Sequence, residues 1–507
     1  MRPLSKSRLL AFRQCPKRLW LEINEPALKE ESANLQARFD QGLQVGELAR
    51  SLYDPDGRGT TLNPHSEGWD SAFARTKALL GLSAPIFEAT FSANGALAMA
   101  DVLLPANSGR HKAWRLVEVK SSTSVKEYHH DDVAIQTYVA RASGVALDSV
   151  ALAHIDSSWV FPGGGDYRGL LVEVDLTDEA VSRHEEVADW IAKAQALVQQ
   201  QEEPRISTGP QCSSPFECSF LTHCSSREAR PEYPVHWLPR VQSGVLKQHL
   251  ADLASKDMRD VPDELLNATQ LRVKQLTLGG QSYFNADGAM QSLSELGVQT
   301  PPLLFLDFET IQFAVPRWAG TRPYQQIPFQ FSCHVIEPSV RLSQIEHLDL
   351  SGDDPSLPFA RALIASCHQQ GAILAYNAAF EKSRIRELAE RFPVLESGLL
   401  AIVDRIVDLL PVARQHFYHP DMQGSWSIKA VLPAMVPELR YGDLQGVQDG
   451  SGAQQAYLEA IERGAPEGLR GELRQQLLDY CRLDTYAMVR LWQVMAGRQD
   501  LNFSDAN

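Results

Sequence analysis

The chain has 507 residues, 44% hydrophobic and 22% charged, with a formal net charge of −15 and a pI near 5.4. At roughly 150 residues per domain, that length and ordinary composition allow two large domains and a connector. The acidic balance argues against a polybasic nucleic-acid coat, no apolar run approaches the roughly 18 residues of a membrane span, and seven cysteines do not make a secreted disulfide framework.

The opening segment, residues 1–8, is basic but leads into no long apolar stretch, so no leader peptide is expected and a cytoplasmic location follows. Lys6, Arg8, Arg13, Lys17 and Arg18 precede the first acid, Glu22, and such a cluster suits salt-sensitive guidance of a phosphate backbone. Cys15 stands before Pro16, which is placed to open a helix at its first position. Residues 96–104 read as a strand, 105–112 as a polar turn and 113–120 as a second strand. Side chains alternate along a strand, so Glu118 and Lys120 share a face, and an antiparallel neighbour sets Asp101 beside them. Two carboxylates suit a divalent metal, and the lysine suits orienting a water or steadying charge on a phosphate. Residues 132–139 read as a helix carrying Gln136 and Tyr138. Cys212, Cys218 and Cys224 follow at a C-x5-C-x5-C spacing in a looped segment with Pro215. Joined by Cys15 they make a four-thiolate set, open to zinc or to an iron–sulfur cluster, and His223 reads as a bystander.

Asp101, then Glu118-Val119-Lys120, then Gln136 resembles the PD-(D/E)XK nuclease pattern, with the trailing glutamine typical of its RecB-like branch. One cysteine before that core and three after it resemble the iron–sulfur RecB-type nucleases, including CRISPR-associated ones. Over residues 1–228 the resemblance implies a restriction-endonuclease-like core with Asp101, Glu118, Lys120 and Gln136 catalytic and Asp101 and Glu118 on the metal. It also implies a [4Fe–4S] cluster on Cys15, Cys212, Cys218 and Cys224 that clasps the domain's ends. The chain departs from its relatives on an early helix, where a metal-binding histidine is usual and residues 39–49 hold none; Glu47 and Glu88 are the acids available for that role.

Residues 229–300 read as a structured helical connector, with helices expected around 245–255 and 270–276 and a break at Gly279-Gly280. No G-x-x-x-x-G-K-[ST] loop occurs, so no ATP-driven motor is expected. Residues 303–310 form an apolar run ending in Asp307 and Glu309, a buried strand with both acids on one face and Phe308 on the other. Charges on such a strand need a compensating cation. Residues 372–376 read as a strand, Asn377 as the cap of a helix over 378–392, and Glu381 lies near that helix's start. Tyr480 and Asp484, four apart, share a face of a helix over 478–488. Cys333, Cys367 and Cys481 read as buried small hydrophobes.

D-x-E on a strand, N-x-x-F-E opening a helix and Y-x-x-x-D on a late helix resemble the DEDD exonucleases of the tyrosine type. Over residues 301–507 the resemblance implies an RNase H-like fold and 3′-to-5′ exonuclease activity. Asp307, Glu309, Glu381 and Asp484 would gather Mg²⁺ or Mn²⁺, and Tyr480 would align the attacking water. Glu381 stands where an aspartate is usual, with Asp404 and Asp408 as competing acids. The expectation is a two-domain α/β nuclease acting on DNA in repair, recombination or defence. The alternatives are an RNA 3′ exonuclease and a nucleic-acid-binding scaffold that recruits a separate helicase.

Overall fold

The structure, a computed structural model, describes residues 3–30, 33–108, 111–253, 255–367, 370–499 and 501. It is mixed α/β, and no helix of the described residues is long and apolar enough to cross a membrane. Contacts divide it into two units: residues up to Ala229 with Phe313–Gln325, and Arg230–Gln312 with Gln326 onward.

The first unit is built on seven strands: β1 (Leu4–Ser5), β2 (Thr60–Thr61), β3 (Ile86–Ala93), β4 (Ala96–Ser108), β5 (His111–Lys120), β6 (Leu147–Ile155) and β7 (Leu171–Asp175). Their order is β2-β3-β4-β5-β6-β7, with β1 on β4. The expected turn at 105–112 is instead the end of a hairpin paired as far as Ser108 and His111, because ladder bonds satisfy more backbone groups than an open loop does. Helices α1 (Lys6–Gln14), α2 (Pro16–Asn24), α3 (Ala33–Tyr53) and α4 (Glu127–Ala142) surround it. Ser5 caps α1 by accepting from the Arg8 N–H, and Pro16 opens α2 as its first residue. Leu116, Trp114, Leu103, Phe91, Val133 and Val139 form the core that α4 closes.

Strand alternation breaks at Glu88, whose φ of 56° lies in the left-handed region that disfavours residues with a Cβ. Ile86 and Ala89 therefore face one core while Phe87 faces the other side. The register places Glu88 opposite Asp101, and beyond the Val102–Val117 pair β4 and β5 separate.

The second unit holds β8 (Tyr283–Phe284), β9 (Leu303–Ile311), β10 (Ile327–Ile336), β11 (Leu342–Leu348), β12 (Ala372–Ala375), β13 (Ile406–Asp408) and β14 (Phe417–Tyr418). Five of them form a mixed sheet in the order β11-β10-β9-β12-β13, antiparallel from β9 to β11 and parallel from β9 to β13. Helices α5 (Ser356–Ser366), α6 (Ala379–Arg391) and α7 (Glu396–Arg405) supply one face of the core, against Leu304, Leu306 and Phe308. Helices α8 (Ile428–Met435) and α9 (Glu467–Met495) complete the unit, with α9 packed on β9 and β10. The connector folds into this unit: β8 pairs with β14, and Thr277 and Tyr418 share a hydroxyl–hydroxyl bond of 2.7 Å.

Candidate functional site

In the second unit, alternation along β9 sends Leu304, Leu306 and Phe308 into the core and turns Asp307 and Glu309 the other way. Helix α9 is held on β10 by Ser332 Oγ and Thr485 Oγ1 at 2.8 Å, and by Gln330 Nε2 donating to the Leu477 carbonyl at 2.7 Å. Those bonds fix Tyr480, Cys481 and Asp484, all buried. Asp307, Glu309 and Cys481 each place a ligand atom within 4.8 Å of the others.

Two residues that the sequence reading did not single out complete the group. The Tyr441 hydroxyl donates to Asp484 Oδ1 at 2.5 Å. Lys429 Nζ lies 5.2 and 5.1 Å from the ring centroids of Tyr441 and Tyr480, a cation–π geometry. No spacing rule links them to the acids, since Tyr441 lies 43 residues before its partner. Burial and then repulsion from Asp484, Glu309 and Glu381 hold the Asp307 carboxyl well above the usual range. Burial and then Asp484 do the same for Glu309. Burial pushes Asp484 to about 6 despite the Tyr441 hydrogen bond. Lys429 opposes the shift at all three.

Glu381 sits in the first turn of α6, buried, and its Oε2 meets no hydrogen-bond partner among the described residues. Burial chiefly, with Asp408 adding, raises it to about 7. The competing acids differ: Asp404 is exposed on α7, and Asp408 Oδ1 already accepts the Asn377 and Leu410 N–H groups at 2.9 Å. That contact changes the expected cap as well. Asn377 takes a left-handed φ of 70°, and α6 starts after Ala378 without a side-chain cap.

A pH dependence follows for the protein without metal. Folded Glu381 keeps its proton to about pH 7, whereas an unfolded glutamate loses it near 4.3. Between those values the folded state binds the extra proton, so this group's contribution to stability falls as pH rises, by at most about 1.4 kcal/mol per pH unit. Glu381→Gln should therefore melt higher than wild type at pH 8 and lose most of that advantage by pH 5. Thermal melts in chelator at both pH values check it; a pH-independent difference contradicts the buried-acid account.

In the first unit, Asp101, Glu118, Lys120 and Gln136 converge where β4 and β5 part. Asp101 Oδ2 accepts the Val119 N–H at 2.8 Å, taking the place of the missing ladder bond. Glu118 Oε1 accepts from Lys120 Nζ at 2.6 Å, and Gln136 Nε2 donates to Oε2. Two further members come from elsewhere. Asp132, one turn before Gln136 on α4, binds Lys120, and Lys6 Nζ reaches Glu118 Oε1 at 2.8 Å and Asp132 Oδ1 at 2.9 Å. Burial works against charging Asp132, but Lys120 and Lys6 outweigh it and hold the carboxyl far below its usual range. Asp101 is shifted the opposite way, by burial and then by Glu118. Glu88 faces the same group, raised by burial and opposed by Arg50, whereas Glu47 is exposed on α3.

The N-terminal basic residues are mostly spoken for. Besides Lys6, Arg13 pairs with Asp131 at 2.9 Å and lies 4.0 Å over the Trp190 ring, Lys17 pairs with Glu203 at 2.8 Å, and Arg18 pairs with Glu22 at 2.9 Å. Such partners leave little of the cluster as an open cationic stripe.

Cys15, Cys212, Cys218 and Cys224 line one small cavity with Lys17 and Arg18. Gln14 holds the triplet's loop against α1, donating to the Gln211 and Phe216 carbonyls at 2.7 Å. All four thiols are free, and burial raises those of Cys218 and Cys224. No three of the four sulfurs lie within 4.8 Å of one another. His223 turns instead to Glu203, at 3.4 Å.

Residues 304–427 match the family described as a domain of unknown function, DUF2779. The matched span runs from β9 to the start of α8, so it contains Asp307, Glu309 and Glu381 and stops before Tyr480 and Asp484. The chain is also similar to "Uncharacterized protein UU173" of Ureaplasma parvum serovar 3, at 26% identity over 146 residues. That alignment covers 27% of this chain, which spans about a fifth (21%) of the relative's length.

Proposed function

We propose that the protein is a metal-dependent nuclease. Its second unit, read as an RNase H-like DEDD module, removes nucleotides from 3′ ends of DNA. Its first unit is a RecB-like PD-(D/E)XK module with a [4Fe–4S] cluster, and the whole works in repair, recombination or defence. The observation that carries this reading is the burial of Glu309, Glu381 and Asp484 beside a half-buried Asp307, with Lys429 the cation that opposes the shifts of Asp307, Glu309 and Asp484. Like charges out of water need a counter-ion, and carboxylate oxygens suit Mg²⁺ or Mn²⁺. Asp307, Glu309, Glu381 and Asp484 would hold such ions, which would supply Lewis-acid stabilisation of charge on a scissile phosphate and ease deprotonation of water.

The chain's own groups do the positioning. Tyr480, on the helix face of Asp484, aligns the attacking water. Tyr441 donates to Asp484 and fixes its carboxylate, and Lys429 draws the phosphate inward. Tyr480→Phe should lower the rate on the order of 10²-fold and Tyr441→Phe about 10-fold, both keeping metal binding, as expected when one aligning hydroxyl is lost. Single-turnover assays check the order; unchanged rates in both contradict these roles.

In the first unit, four free thiols lining one small cavity support the cluster reading. Asp101 and Glu118 fit a divalent ion with one qualification, the two lysines already on Glu118. The test of the whole reading is degradation of end-labelled DNA and RNA with Mg²⁺ or Mn²⁺ by wild type and by Asp307→Ala. Degradation of RNA alone would favour the RNA exonuclease, and no cutting by wild type would favour the scaffold.

A further inference from the structure

Lys6 is oddly placed for a helix residue. It is the first residue of α1, whose first turn holds no acid, and a cation there opposes the helix dipole. Its ammonium nonetheless reaches across 112 residues of sequence to Glu118 and lies 2.9 Å from Asp132. Lys120 binds the same two carboxylates from the other side. Two ammoniums and two carboxylates thus alternate in a closed ring, with Glu118 and Asp132 almost wholly buried. Gln136 takes the second oxygen of Glu118, so both oxygens of that carboxylate are engaged. The ring is already neutral. A divalent ion brought onto Glu118 adds two positive charges beside two ammoniums and competes with them for oxygens that are already engaged.

We infer that Lys6 is a resident cation of the first site, holding the share of Glu118 that a divalent metal requires, so that metal and the Lys6 ammonium compete for that carboxylate. Lys6 rather than Lys120 is the one that yields. Lys120 ends β5, its backbone paired with His154 of β6, whereas Lys6 stands at a helix start and yields by rotating its own four-carbon stem. Once displaced, its ammonium is free to meet the other anion such a site would receive, a phosphate of a polynucleotide backbone. The inference rests on reading the first unit as a nuclease module.

The experiment measures Mn²⁺ binding calorimetrically to the full chain, purified without oxygen, in an Asp307→Ala background that disables the second unit's site. Adding Lys6→Met, which keeps the stem and removes the charge, should tighten Mn²⁺ binding on the order of tenfold, the scale of one partly buried ion pair no longer having to break. Adding Glu118→Gln as well should cancel that gain and so locate it. Binding to Lys6→Met that is equal or weaker, while Glu118-dependent binding exists in its parent, overturns the competition but leaves the nuclease reading intact. Absence of any Glu118-dependent Mn²⁺ binding in either protein overturns both. A second measurement needs no substitution at Lys6: amine acylation of wild type, read by mass spectrometry, should label Lys6 more in saturating Mn²⁺ than in chelator. Mn²⁺ bound at Glu118 with unchanged Lys6 labelling refutes the displacement even if Lys6→Met folds poorly.

Discussion

Asp307→Ala should remove at least about 10³ of the rate at which labelled 3′ ends are shortened in Mg²⁺ or Mn²⁺, because it deletes a half-buried carboxyl from a site where placement and electrostatics carry the chemistry. The same substitution should raise, not lower, the melting temperature of the protein in chelator. Asp307 is held in an unfavourable environment by burial and by Asp484, Glu309 and Glu381, and removing it relieves its neighbours. Opposite signs for activity and stability separate loss of a site from loss of a fold. If Asp307→Ala shortens single-stranded and 3′-recessed ends as fast as wild type, the catalytic assignment of this site is wrong. Any metal-dependent cutting that survives in Asp307→Ala and disappears when Asp101→Ala is added belongs to the first unit.

Cys15→Ala should leave a protein that loses its brown colour and its iron and whose first unit melts several degrees lower. Cys15 stands between α1 and α2, and the other three thiols lie near Ala229, at the end of the first unit's main segment. A cluster joining them would close nearly that whole segment into one loop, and the entropy removed from the unfolded chain is of the order of 5 kcal/mol for a link of that span. Gln14 and the packing of Trp20, Leu21 and Phe220 with Cys218 and Cys224 remain, so the loss should be partial. Wild type that is colourless when purified without oxygen and carries one zinc per chain would sink the iron–sulfur reading. Equal iron in Cys15→Ala and wild type would remove Cys15 from the ligand set.

The strands around Asp101, Glu118 and Asp307, the helices carrying Gln136, Glu381 and Tyr480, and the proline start of α2 are all legible in the sequence. Each depends on short-range rules: two-residue alternation, helical spacing, and φ fixed by a proline ring. Short-range rules also mark which side chains carry chemistry, since acids on an apolar strand have no cheap structural excuse. They did not extend to the residues that complete each site. Lys6 and Asp132 join Glu118, and Tyr441 and Lys429 join the Asp307 group, across separations at which no periodicity operates. The left-handed turn of Glu88 flips a strand's faces through one backbone angle that side-chain pattern does not record. Nor does composition show that Phe313–Gln325, lying between two strands of the second unit, folds with the first. There Ala314 packs with Val45, Ile155 and Leu170, and Tyr324 donates to the Ser121 carbonyl. The sequence by itself determined which elements form and which groups are chemically costly to bury. Only the tertiary structure decided which cation answers each buried acid, because ion pairing is a matter of distance in space.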